Sequence, residues 1–111
     1  MAVLSVQTIS TSGLAPVISA ITSTGDRFPG EEAEFLKVVN NSGSASITVC
    51  ISSQHKCTFL TYHDISEEVG IGSTKYLGKF ATKWYNDGSD MVNITYSPST
   101  IEGISIGVFH L

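Results

Sequence analysis

The sequence predicts an all-β fold: a two-sheet antiparallel sandwich, jelly-roll-like, of about eight short strands in one domain spanning residues 1–111. Three observations predict it. Apolar residues recur with period two, the mark of half-buried strands. Turn-forming clusters interrupt them at near-regular intervals. Charged residues make up only 14% of the chain, well under the usual quarter or so, and Ser, Thr, Asn and Gly fill the gap. That balance suits strands and tight turns better than long solvated helices.

Each element follows from the residues in turn. Leu4–Ile9 reads as a first, less regular strand, and Val17–Ile21 as a second. The first runs into, and the second lies within, residues 9–29, which are rich in Ser, Thr, Gly and Pro and read as an irregular arm or loop. Glu31-Glu32-Ala33-Glu34 could make one helical turn before a strand at Phe35–Val39. Asn40-Asn41-Ser42-Gly43 tolerates positive φ and suits a hairpin into the next strand. There Ile47, Val49 and Ile51 alternate with Thr48, Cys50 and Ser52. Thr58–Tyr62 is a further strand. Asp64-Ile65-Ser66-Glu67 has the spacing of a capped helical turn. A strand at Tyr76–Phe80 and the turn Asn86-Asp87-Gly88-Ser89-Asp90 lead to Val92, Ile94 and Tyr96, which alternate with Asn93, Thr95 and Ser97. Ser97-Pro98-Ser99-Thr100 then turns the chain into Ile104–Phe109.

At this length a domain buries roughly 65% of the surface its unfolded chain exposes, enough to fold without metal or disulfide. The net charge is −4, and the six Lys and Arg are scattered, with Lys75, Lys79 and Lys83 the nearest to a cluster. Nucleic-acid binding needs cations gathered on one face, so no nucleic-acid partner is expected; the three lysines read as edge-strand solvation. The opening residues lack the basic and apolar regions of a signal peptide, which predicts synthesis in the cytoplasm. No run approaches the ~20 apolar residues of a membrane span, so no membrane partner is expected. Cys50 and Cys57 are accordingly expected as free thiols.

Few residues carry the pattern of a chemical site. Cys50, His55, Cys57 and His63 lack the knuckle that turns a chain around zinc, so no metal site is expected. Cys57 beside His55 or His63 could make a nucleophile pair, but nothing marks an oxyanion hole or an orienting third group. The carboxylates Glu31, Glu32, Glu34, Glu67 and Glu68 read as acidic surface, and Gly70-Ile71-Gly72 as a turn fragment without a following helix. Neither a catalytic residue nor a cofactor is expected. Trp84 beside Tyr85, just before the Asn86 turn, could stack on a sugar or anchor an interface.

The order of several blocks resembles that of small tailed-bacteriophage capsid decoration (cement) proteins. The blocks are Met1-Ala2-Val3-Leu4-Ser5-Val6-Gln7-Thr8-Ile9-Ser10-Thr11-Ser12-Gly13-Leu14, then Phe35-Leu36-Lys37-Val38-Val39-Asn40-Asn41-Ser42-Gly43 with Ile47-Thr48-Val49. Leu77-Gly78-Lys79-Phe80 and Val92-Asn93-Ile94-Thr95-Tyr96-Ser97 complete them. Cys50 to Gly72 departs from that pattern, being polar and rich in His. The resemblance implies a non-enzymatic virion protein on the capsid exterior, binding the major capsid protein and cementing neighbouring capsomers as a homotrimer. Contacts to shell or sister copies are then expected at Leu14, Pro16, Phe28, Trp84 and Tyr85, in or beside irregular segments. The competing expectation is a carbohydrate-binding module or adhesin of a tail or head fibre, using Trp84, Tyr85, Tyr62 and Tyr76.

Overall fold

The computed structural model describes residues 2–31, 34–55, 64–78, 80–98 and 102–110. They form two five-stranded sheets packed face to face, the all-β sandwich expected from the sequence. The strands are β1 (Ala2–Val3), β2 (Val6–Thr8), β3 (Ser19–Ala20), β4 (Asp26–Pro29), β5 (Glu34–Asn40) and β6 (Ile47–Ile51). β7 (Ile65–Val69), β8 (Thr74–Gly78), the single-turn helix α1 (Thr82–Tyr85), β9 (Met91–Ser97) and β10 (Ile104–His110) follow.

The first sheet has the order β1-β4-β9-β6-β7, and the second β2-β10-β5-β8 with β3 also paired to β10. Two pairings are parallel, β1 with β4 and β2 with β10, so the sheets are mixed and not wholly antiparallel as expected. The cause is local. The strand expected at Leu4–Ile9 breaks at Leu4 and Ser5, where the chain leaves the edge of the first sheet for the edge of the second.

Alternation fixes which side chains go inside. Ile47, Val49 and Ile51 of β6, Val92, Ile94 and Tyr96 of β9, and Phe28 of β4 meet Leu36 and Val38 of β5 and Ile104, Ile106 and Val108 of β10. Val69 and Phe80 close the two ends of this core. One polar pair sits among them. The Tyr96 hydroxyl donates to Asp26 Oδ2 at 2.6 Å, and the backbone N–H of Thr22 donates to the same oxygen at 3.1 Å.

Three local expectations are corrected. Residues 64–67 are not a helical turn: Ile65, Glu67 and Val69 point inward on β7, which pairs with β6 from Ile51↔Ile65 to Ile47↔Val69. Pairing along a whole strand outweighs the local cap, and the Asp64 carboxylate instead accepts from the N–H of Ser53 at 2.7 Å. Residues 40–43 do not make a hairpin, because β5 and β6 lie in different sheets. Asn40 brackets that crossover, its side-chain N–H groups reaching Val69 O at 3.0 Å and Ala45 O at 3.1 Å while Oδ1 accepts from Ser42 N–H. Finally, residues 9–29 are not irregular throughout, since β3 and β4 lie within them. Glu34 opens β5 and its carboxylate accepts from the N–H of Glu31. The strand expected at Thr58–Tyr62 lies outside the described residues.

Candidate functional site

The two outer faces differ in chemistry, and the difference locates the site. On the second sheet, register sets Phe109 beside Phe35, and Lys37 between Gly107 and Tyr76. Phe35 stacks on Phe109 with ring centroids 5.7 Å apart, and lies 6.2 Å from the Tyr76 ring. The Lys37 ammonium stands 5.9 Å from the Tyr76 centroid, within reach of a cation–π contact. A stripe of rings thus crosses three strands on the side away from the core.

The arm at residues 9–18 folds over this stripe. It is tied at both ends. Ile9 N–H donates to His110 O at 2.8 Å, continuing the β2–β10 pairing. The Gln7 amide brackets the backbone of Val17, donating to its carbonyl at 2.8 Å and accepting from its N–H at 2.7 Å. Gly13, at φ +88°, turns the arm between these ties, a conformation that favours glycine. Gly107 permits the close approach: a Cβ there would lie 3.1 Å from Val17 O and 3.0 Å from the Phe109 ring.

Ile9, Leu14 and Pro16 of the arm, with Phe35, Lys37, Tyr76 and Phe109 of the sheet, line a groove of about 230 Å³. On the other side of Val17 a wider hollow of about 410 Å³ opens between β10 and the β1–β2 crossover, lined by Val3, Leu4, Gln7 and Val17 among others. Four of the six large hydrophobics that stand exposed among the described residues are Val3, Ile9, Leu14 and Val17, all on this N-terminal stretch. The other two are Tyr76 and Ile71.

Of the five residues expected to make contacts, Leu14 and Pro16 line the groove together. Phe28 does not join them. It is fully buried in β4 against Phe80, centroids 5.9 Å apart, so its role as a surface contact is withdrawn. The Ser-, Thr-, Gly- and Pro-rich composition of the stretch conceals that Asp26–Pro29 is a sheet strand paired to β9. Trp84 and Tyr85 stand on α1, at the end of the sandwich. Lys83 Nζ lies 4.8 Å from the Trp84 centroid, and the Trp84 carbonyl accepts from the N–H groups of Gln54 (2.7 Å) and His55 (3.3 Å). The Tyr85 ring packs edge-on against Phe80 at 6.1 Å. Burial, and then the nearby Asp64 carboxylate, raise the Tyr85 hydroxyl above the ordinary tyrosine value. Phe35, Lys37 and Phe109 were missed as groove residues. Their signal is a strand apolar on both faces, visible in Phe35-Leu36-Lys37-Val38-Val39.

The other chemistry-bearing groups are dispersed. Cys50 lies on the outer face of β6, its sulfur 4.0 Å from Ser66 Oγ, and His55 is exposed beyond that strand. Cys57 and His63 lie outside the described residues, and among those described no group of three His, Cys, Asp or Glu is placed to hold a metal ion. Glu67 and Glu68, adjacent on β7, point to opposite faces, as the strand period requires. Glu67 turns inward and pairs across the sheets with Lys75 at 3.1 Å; inward-pointing charges of this kind blunt the free edges β7 and β8. No helix among the described residues is long and apolar enough to cross a membrane. With this geometry in view, the chain was set against known proteins: no family model, curated protein or solved structure matches it.

Proposed function

We propose that this chain is a structural protein of a tailed-bacteriophage virion. It binds the outer surface of the assembled capsid, with the major capsid protein as its partner, and cements neighbouring capsomers as a homotrimer. The block order described above suggests this role. The observation that carries it is the concentration of exposed apolar side chains on the N-terminal stretch, Val3 on β1 with Ile9, Leu14 and Val17 of the arm: apolar surface gathered on one part of a small domain marks an interaction site. Val3 (53% exposed) and Val17 (70% exposed) flank the wider hollow and are the shell-facing contacts of this reading. Cementing is mass action, since a ligand that binds the assembled shell and not its separated subunits stabilises the assembly.

The test is co-sedimentation of the purified protein with emptied phage capsids, followed by heating. Saturable binding that raises the shell's disruption temperature is expected, and the double variant Val3→Asp/Val17→Asp should lose it while keeping its own melting temperature. Absence of binding to any candidate shell ends the proposal. One observation favours a second reading, a carbohydrate-binding module or adhesin of a fibre. The Tyr76 ring is 62% exposed beside Lys37, as a sugar-stacking platform would be. Trp84 and Tyr85, by contrast, are half-buried, and Tyr62 lies outside the described residues. A glycan array on wild type and Tyr76→Ala decides that reading.

A further inference from the structure

We infer that the groove beside Tyr76 receives Ile71 from a second copy of this chain, so that the protein assembles with itself through a knob and a groove on different parts of its surface. This deepens the homotrimer part of the reading above by naming the contact.

The knob is Ile71, 55% exposed at the tip of the β7–β8 turn. Gly70 and Gly72 flank it, Gly72 at φ +72°, so no neighbouring side chain shields it. The turn is held by backbone hydrogen bonds, one within it and two to Asn40 at the end of β5. Ser73 N–H donates to Gly70 O at 3.0 Å, Gly72 N–H to Asn40 O at 2.9 Å, and Asn40 N–H to Ser73 O at 2.9 Å. An aliphatic side chain is thus presented on a pre-organised turn, which lowers the entropy lost on docking. Three residues earlier, Glu68 is exposed on β7.

The groove complements it. Of the seven side chains that line it, only Lys37 and Tyr76 carry a polar atom. Sugars bring a hydroxyl on almost every carbon, so such a lining favours a hydrocarbon occupant. Among the described residues the single ion pair is Lys75–Glu67, which leaves Lys37 to meet an incoming carboxylate such as Glu68. Ile71 does not line the groove of its own chain: it sits on the turn that precedes β8, beyond the Thr74↔Val39 pair, whereas the groove lies further along the strand at Tyr76↔Lys37. The contact is therefore intermolecular. Because knob and groove are different patches, it either propagates from copy to copy until a ring closes or is reciprocated in a pair.

Sedimentation of the purified full-length chain alone tests this, with no capsid present, so failure here and failure to bind shells are read separately. A reversible closed oligomer is expected. Ile71→Ala should weaken self-association roughly 15- to 50-fold, the effect of withdrawing two or three buried carbons. Ile71 has no part in the core, so that variant should fold as wild type does. Glu68→Lys alone and Lys37→Glu alone should each weaken association, and the double variant Glu68→Lys/Lys37→Glu should recover most of the loss. A chain that stays monomeric up to about 1 mM overturns the inference. So does an oligomer indifferent to Ile71→Ala, or a double variant no better than the single ones.

Discussion

The outer face of the first sheet carries Thr48, Cys50, Ser66, Glu68, Asn93 and Thr95, while that of the second carries Phe35, Lys37, Val39, Tyr76 and Phe109 under the arm. Their inner faces are nearly interchangeable, lined by Ile, Val, Leu and Phe. One outer face is thus built to meet water and the other to meet side chains. Inward residues decide that the chain folds, whereas the outward residues of the second sheet build the groove to which the proposed self-contact is assigned. Function in a sandwich of this kind is read from the face that departs from the in–out rule.

The sharpest way to break that division is to exchange its two kinds of aromatic residue. Phe28→Ala removes a fully buried ring and leaves a cavity against Phe80, which should cost about 3–5 kcal/mol. For a domain of ordinary stability that is a large part of the total. Tyr76→Ala, on the exposed face, should change stability by no more than about 0.5 kcal/mol while abolishing self-association. Urea unfolding of both variants checks this, and comparable losses would refute the separation of core from contact surface.

The inner face also holds a buried polar pair, Tyr96 with Asp26, and its removal is the next largest effect. Tyr96→Phe takes a hydrogen bond from the fully buried Asp26, at an expected cost of about 1–3 kcal/mol. Burial first, and then the hydrogen bond and charge of Asp26, raise the Tyr96 hydroxyl far above its ordinary value of 10.0. A raised folded-state value gives stability that is fully present below the unfolded value and is lost as pH rises toward the folded one. Melting temperature should therefore fall above about pH 10, and less steeply in Tyr96→Phe. Equal alkaline slopes in the two proteins would remove Tyr96 as the cause.

How much of this was legible in the sequence follows from how far apart the partners lie. β6, β9 and β10 were readable because each alternates apolar with small or polar residues inside one short segment. β4 was hidden: Asp-Arg-Phe-Pro is short and half charged, and the inward Asp26 takes a hydrogen bond from Tyr96, 70 residues onward, as well as one from the nearby Thr22 N–H. β7 imitated a helix cap, since Asp64 and Glu67 have the right spacing, but the partners of those carboxylates are Ser53 and Lys75. Leu14 and Pro16 were found as apolar residues stranded in an irregular stretch. Tyr76 was named only for a sugar site, and Phe35, Lys37 and Phe109 were not named, because these residues come together only through the register of β8, β5 and β10.

A smaller effect lies at the turn feeding the first sheet's outer face. The carboxylate of Asp87 accepts from the Asn93 side chain at 2.8 Å and from the N–H groups of Ser89 (2.8 Å) and Met91 (3.1 Å). These bonds, the Asn93 one foremost, hold Asp87 below its ordinary value of 3.8. A depressed folded-state value gives stability present above the unfolded value and lost as pH falls through the folded one. Acid should therefore loosen this turn below about pH 4, and Asp87→Ala should remove that component at a cost of about 1 kcal/mol. An unchanged acid-unfolding slope in Asp87→Ala would count against the assignment.

The smallest effect on overall stability is also the one that best isolates the second sheet's outer face. Gln7→Ala removes both hydrogen bonds that bracket Val17, yet Gln7 contributes nothing to the buried core. The bonds are solvent-exposed, so global unfolding should shift by no more than about 0.5 kcal/mol. Locally the change is larger in kind. Without the bracket, residues 10–18 are tied to the sheet among the described residues by the Ile9 bond at one end and the short β3 pairing at the other, and the wall formed by Leu14 and Pro16 is less firmly held over Phe35 and Phe109. Amide exchange should then accelerate at Val17 and across the arm while β5, β6 and β9 keep their protection. Uniform acceleration through the core strands would mean that the arm is part of the folding unit. Acceleration confined to the arm would mean that the sandwich stands without it, and that the arm's ordering serves the surface it helps to build.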